Sequence, residues 1–284
     1  MWNKIPEITL VFWVIKILST TVGETGADYL AVHVGLGAGV TTALMSALLV
    51  LALLVQLTRT RYVPWIYWLT VVLLSVVGTQ ITDILTDRLN VSLFASTAAF
   101  SVLLAGWFWI WWRSEGTLNV NSIDTRRREL YYWGAILVTF ALGTAAGDLA
   151  TEALGLGFQV GVLAFAGIIA AIAIAWRAGV APVLAFWLAY ILTRPLGASL
   201  GDLLAQAREY GGLGLGTVTT SALFLTVIAV LVVVISRPPS RHHLLKANHE
   251  QGKNPRRHPD RLVVGRRTTV SPQPQNSSGG SRPS

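Results

Sequence analysis

The sequence contains no cysteine. Disulfides, zinc–thiolate sites, iron–sulfur clusters and thiol catalysis are therefore excluded together. Methionine occurs twice, too rarely for a thioether copper site. Charge is scarce as well: Asp, Glu, Lys and Arg make up 13% of the chain, against about 25% in an ordinary soluble domain. The charge that remains leans basic, with a formal net charge of +8. It does not build a nucleic-acid-binding face, because the basic residues are spread over short loops and the C-terminal tail. There is no His-Glu-x-x-His and no phosphate-binding loop. The sequence thus predicts neither an enzyme nor a bound cofactor.

What the chain has in abundance is long apolar runs, for example 42–57, 160–175 and 218–235. Mean hydropathy is +0.56. Nearly charge-free runs of about 18–20 residues read as transmembrane helices. Eight spans are predicted, at 6–32, 37–57, 63–85, 91–112, 130–153, 157–176, 181–205 and 215–236. Lys16 interrupts the first, and no clean cleavage site follows, so it reads as a retained helix rather than a signal peptide. Gly-rich or polar turns follow spans one, three, five and seven (Gly35-Leu36-Gly37, Arg88-Leu89-Asn90, Gly155-Leu156-Gly157, Gly211-Gly212-Leu213-Gly214). The fold class is therefore an all-α membrane protein of four tandem, parallel two-helix repeats, each read as a tight hairpin. The repeats cover about 5–58, 61–113, 126–177 and 180–236, and a polar loop with Arg126-Arg127-Arg128 divides them into two halves. Lys4, Arg59, Arg61, Arg113, Arg126, Arg127, Arg128 and Arg177 share one side with the basic tail, and the opposite short loops hold Arg88 and Arg208. Positive-inside bias puts both termini in the cytoplasm. Residues 237–284 are rich in Pro, Ser, Arg and His and read as a disordered basic cytoplasmic tail.

Within the apolar segments one motif recurs four times: Trp-x9-Gly-x4-Asp. The sets are Trp13, Gly23, Asp28; Trp68, Gly78, Asp83; Trp133, Gly143, Asp148; and Trp187, Gly197, Asp202. Successive tryptophans are 55, 65 and 54 residues apart. Two-helix units restore chain direction, so the four copies share one orientation, as parallel repeats do. The aspartates then lie at one depth. Asp28 is 21 residues beyond Glu7, roughly 32 Å along a helix, which places the set near the outer boundary of the bilayer. Two readings stay open for them: helix-end carboxylates in the headgroup region, or a cation-attracting ring. Glu24, one turn before Asp28, joins the set, and the pair Glu24 and Asp28 is the candidate metal or proton site. The oxygen-rich chemistry suits hard cations. Lys16 and Arg194 lie deep in their spans and are expected to face the interior and pair with acidic or carbonyl groups. Pro195 is expected to kink or unwind its helix. Gly23, Gly78, Gly143 and Gly197 read as close-packing positions. The four tryptophans read as interfacial anchors or packing between repeats, and Trp107, Trp109, Trp111 and Trp112 as an interfacial belt.

The fourfold motif, with the opening stretch Lys4-Ile5-Pro6-Glu7-Ile8-Thr9 running on through Trp13, Lys16, Thr20-Thr21, Gly23-Glu24-Thr25 and Asp28, resembles a bacterial membrane-protein family. That family is built of four tandem two-helix repeats of unknown function, and its members are described as uncharacterised membrane-anchored proteins. The resemblance spans about residues 5–236 and implies the architecture, not an activity. Function therefore rests on the residues. One expectation is a transporter or permeation pathway for a small hard cation, Mn2+ being one candidate, with the lipid bilayer as surroundings. The alternative is a membrane scaffold or signalling protein that works through its basic tail. Reporter fusions should place the Gly35–Gly37 turn outside the cell; an intracellular signal there would overturn the topology.

Overall fold

The computed structural model describes residues 3–29 and 37–237, without the side chains of Ala27, Asp28 and Ala38. Asp28 as a site residue, the first turn and the basic tail therefore lie outside what is described. Eight long helices make up the described chain: α1 (Leu10–Asp28), α2 (Gly37–Thr58), α3 (Pro64–Asp83), α4 (Leu93–Glu115), α5 (Arg126–Asp148), α6 (Gly157–Arg177), α7 (Pro182–Ala205) and α8 (Thr217–Ser236). Their ends follow local chemistry. The hydroxyls of Thr9, Ser92 and Thr125 accept the backbone N–H three residues on, capping α1, α4 and α5. Pro64 and Pro182 stand in the first turn, where a missing N–H leaves no bond unmade. Gly116 closes α4 in the left-handed region at φ 69°.

Seven of the eight helices are long and apolar enough to cross a membrane, so the chain is a multi-pass membrane protein. The eighth, α1, carries Lys16, Ser19, Thr20, Thr21, Glu24 and Thr25, all buried. Its polar side chains are directed at other helices, not at lipid.

The helices divide into two layers. α1 packs on α3, α3 on α5, α5 on α7, and α7 back on α1, making a closed inner ring. The even-numbered helices lie outside it. In the most apolar stretch of α3 56% of residues are buried, against 6% for α6, so the ring is the core and the outer helices meet lipid. The tight pairing within each repeat is not what the packing favours. Each outer helix packs chiefly on the inner helix of the following repeat: α2 on α3, α4 on α5, α6 on α7, and α8 round onto α1.

The repeated glycines explain the closeness of the ring. Gly23 faces Ser75, Gly78 faces Phe140, Gly143 faces Arg194 and Gly197 faces Thr20. Those four partners occupy one position, seven residues after each tryptophan. Every glycine is thus the seat for a side chain of the next repeat, and the last seats one from the first. A Cβ at Gly78 would stand 2.6 Å from Phe140 Cβ and 3.3 Å from the backbone nitrogen of Ala141. Pro195 does not break α7, which runs through it. Membrane helices tolerate the lost bond when neighbours support the turn, and Pro195 is seated against Gly143 and Gly147 of α5.

The loop between the halves is not simply polar. Val120 and Ile123 are buried, Trp187 Nε1 donates to the Leu118 carbonyl at 3.0 Å, and Lys4 N donates to the Ile123 carbonyl at 3.1 Å. Nearby, the buried Glu129 accepts from Lys4 Nζ at 2.6 Å and from Gln56 Nε2 at 3.0 Å. Loop and N-terminal segment together fold under this end of the ring. Gly78→Val should lower the melting temperature of purified protein, by at least about 2 kcal/mol of stability, because backbone blocks relaxation. Gly106→Ala, where an added Cβ meets nothing within 4 Å, should be neutral or slightly stabilising.

Candidate functional site

Four levels of the inner ring follow from the repeat spacing. Nearest the basic end is an aromatic collar that the sequence motif only half revealed. An aromatic residue precedes each tryptophan: Phe12, Tyr67, Tyr132 and Phe186. Each packs on the tryptophan of the next repeat: Phe12 on Trp68 (5.5 Å between ring centroids), Tyr67 on Trp133 (5.3 Å), Tyr132 on Trp187 (6.3 Å) and Phe186 on Trp13 (5.7 Å). The circle closes, so the tryptophans are packing residues between repeats. Of the supposed interfacial belt on α4, Trp109 and Trp112 are exposed. Trp111 is instead buried and stacked on Tyr131, and Trp107 Nε1 donates to the Tyr131 carbonyl at 2.8 Å.

One turn beyond the collar lies Lys16, fully buried. Its ammonium sits 4.2 Å from the Phe140 ring centroid and 4.3 Å from that of Tyr190. The acidic or carbonyl partner foreseen for it is missing among the described residues, and its Nζ makes no hydrogen bond there. Aromatic faces take the partner's place, each desolvated contact being worth on the order of 2 kcal/mol. The carboxylate two turns along α1, Glu24, is engaged elsewhere.

It is engaged by Arg194, which reaches from α7 across the axis. Arg194 Nη2 donates to Glu24 Oε2 at 2.7 Å and to Thr144 Oγ1 at 2.8 Å. It also donates to Thr79 Oγ1, and Nη1 donates to the Thr20 carbonyl at 2.8 Å. Glu24, Thr79 and Thr144 each follow the repeated glycine of their own repeat. One guanidinium thus ties all four inner helices. Glu24 is accordingly half of a buried ion pair, not a free ligand. With Asp28's side chain undescribed, a metal held by Glu24 and Asp28 has no geometry to stand on. Among the described residues no three His, Cys, Asp or Glu side chains gather as a metal would require.

One turn further, on the same helix faces, come the repeated aspartates. Asp83, Asp148 and Asp202 are all half-buried. Asp148 lies within electrostatic reach of Glu24, Glu152, Asp202 and Asp83, so the ring brings these carboxylates together at the end away from the collar. Asp202 is eight residues beyond Arg194, roughly 12 Å along the helix. Directly after two of the aspartates the backbone relaxes into π-helical turns, Ile84–Arg88 and Leu149–Ala153. Such turns are frequent at functional sites, and no residue type in the motif announces them. Other polar groups of this band point away from these carboxylates. Thr25 Oγ1 shares a 2.6 Å hydrogen bond with Ser221 of α8. Ser199 lies against Gly161 of α6. Residues 197–201 happen to spell Gly-x-Ser-x-Gly, but they lie inside α7, not on the strand-to-helix elbow that exposes a nucleophile.

The two deep cations should respond oppositely to removal. Arg194→Met strands a buried carboxylate and two buried hydroxyls and should cost about 3–5 kcal/mol. Lys16→Met removes an unpaired buried ammonium and should leave the melting temperature equal or higher. Thermal unfolding of both variants in detergent checks the contrast.

The chain matches the repeat of unknown function DUF347 four times, at residues 11–62, 66–117, 131–178 and 185–239. No curated protein and no solved structure matches it. Four matched repeats, each contributing one inner and one outer helix to a single closed ring, make this chain a member of the DUF347 repeat family.

Proposed function

We propose that the ring is a pathway for a small hard cation, a transporter rather than an enzyme, in a bacterial cytoplasmic membrane with both termini cytoplasmic. The observation that carries this reading is the stack on the axis: carboxylates at one mouth, the Arg194–Glu24 pair beneath them, and the aromatic collar below. Rings of carboxylates concentrate cations at a mouth. A cation that enters competes with Arg194 for Glu24. When it binds, the guanidinium falls back on Thr79 and Thr144; when it leaves, Arg194 returns and closes the path. The collar bars the far end, so passage requires the inner helices to rock, as alternating access does elsewhere.

Purified protein in liposomes should take up one cation from a panel of Mn2+, Mg2+, Ca2+ and Na+. Asp148→Asn should cut the rate at least tenfold while the protein still inserts and accumulates. Absence of uptake for every cation overturns the reading. If removal of residues 238–284 alone then produces a cellular phenotype, the scaffold reading replaces it.

A further inference from the structure

From the level of Lys16, through the collar and towards the basic end, runs a series of buried phenols that cation binding does not use. The hydroxyls of Tyr67 and Tyr132 lie 2.5 Å apart, both residues fully buried. Tyr190, also fully buried, is within electrostatic reach of both. Its hydroxyl is near enough to that of Tyr132 to interact, without a hydrogen bond of normal geometry among the described residues, and its ring carries the Lys16 ammonium. On the other side, the Tyr62 ring meets that of Tyr67 at 5.6 Å, edge to face. The Tyr62 hydroxyl is buried beside Trp68, with no hydrogen bond of normal geometry among the described residues. Tyr62 and Glu7 line one cavity of about 320 Å³ at the end of the bundle that carries Arg59 and Arg61. Glu7 is exposed. A buried amine, three buried phenols and a fourth at a cavity with a carboxylate thus follow one another through an otherwise apolar layer.

We propose that Tyr190, Tyr132, Tyr67 and Tyr62 relay protons between Lys16 and the Glu7 cavity, so that proton movement is coupled to that of the cation of the pathway. The inference rests on the cation reading for its substrate, but not for its proton path. Lys16 passes a proton through one water to the Tyr190 oxygen. Tyr190 passes its own to Tyr132, Tyr132 to Tyr67, Tyr67 to Tyr62, and Tyr62 to Glu7 through water in the cavity. Each phenol ends with the proton count it began with. Lys16 is left as the amine and Glu7 as the acid, which releases its proton to bulk water. A proton from the carboxylates of the mouth then restores Lys16. A neutral Lys16 removes one positive charge from the layer beneath the mouth, which is the condition for a cation to descend. The groups that act on Lys16 are few. Arg194 from α7 is the charge that reaches it. Tyr190 and Phe140 present their rings, Glu24 on α1 is bound to Arg194, α3 brings Tyr67, and α8 has no titratable side chain. Burial pushes the Tyr62 phenol above its ordinary value, which keeps it a protonated hydroxyl at neutral pH.

The test is flux in liposomes holding the full chain, with pyranine reporting lumenal pH and calcein reporting Mn2+ in parallel, driven by an Mn2+ gradient or by a potassium diffusion potential. Wild type should move protons under at least one drive. Tyr132→Phe, which deletes one hydroxyl and keeps the ring, and Lys16→Met should each slow proton movement at least tenfold while eluting as wild type on size exclusion. Mn2+ entry with no pH change overturns the relay and leaves the cation pathway standing. Proton movement that both variants abolish, without Mn2+ entry, supports the relay and removes Mn2+ as the substrate. Wild-type proton rates in Tyr132→Phe overturn the relay, and no flux of either kind overturns both.

Discussion

The guanidinium of Arg194 is the point on which the architecture turns. Among the described residues it alone bonds to every other inner helix: Thr20 and Glu24 on α1, Thr79 on α3 and Thr144 on α5. A buried ion pair repays its desolvation only when further hydrogen bonds support it. Here Glu24 and the Thr20 carbonyl come from the first repeat, Thr79 from the second and Thr144 from the third, while Nε makes no hydrogen bond among the described residues. The asymmetry is instructive. A ring of four equal repeats would place four equal side chains on the axis, whereas this one places Ser75, Phe140, Arg194 and Thr20 at the equivalent positions. One long cation fills the centre that four could not share.

Around that centre the ring is held by shape. The glycine of each repeat receives the side chain of the next, and each collar aromatic lies on the next tryptophan. The contacts run in one rotational sense and close on themselves. Lipid supplies no hydrophobic drive for helix association, so close packing and buried polar bonds must supply it. Both are concentrated in the same four inner helices, which leaves the outer ones free to be plainly apolar.

Much of this was legible in the sequence, for definite reasons. Apolar runs counted the helices, and Trp-x9-Gly-x4-Asp gave the repeat and the common depth of its carboxylates. The partner of each helix was not legible. Short turns suggested pairing within a repeat, but the seat offered by Gly23 fits a side chain of the next repeat, and shape of that kind is written in no single position. Lys16 was misread because a buried ammonium ordinarily meets an acid, while here the facing residues, Phe140 and Tyr190, are aromatic and come from distant segments. Glu24 read as a free ligand because its partner lies 170 residues away. The residue before each tryptophan was visible as aromatic in all four repeats, and counting outward from the motif would have found the collar.

The closure of α8 onto α1 has a consequence for the order of synthesis. A ribosome delivers α1 first and α8 last. With its buried polar face, α1 therefore enters the bilayer long before α7 brings Arg194 to Glu24, or α8 covers its flank. In that interval Glu24, Lys16 and the hydroxyls of α1 have no finished interior to face. A chain stopped after three repeats is not three-quarters of this protein but an open arc with the polar face of α1 at the edge. The last repeat to be made thus decides whether the first was worth inserting, and the natural place for quality control to act is on the unclosed arc.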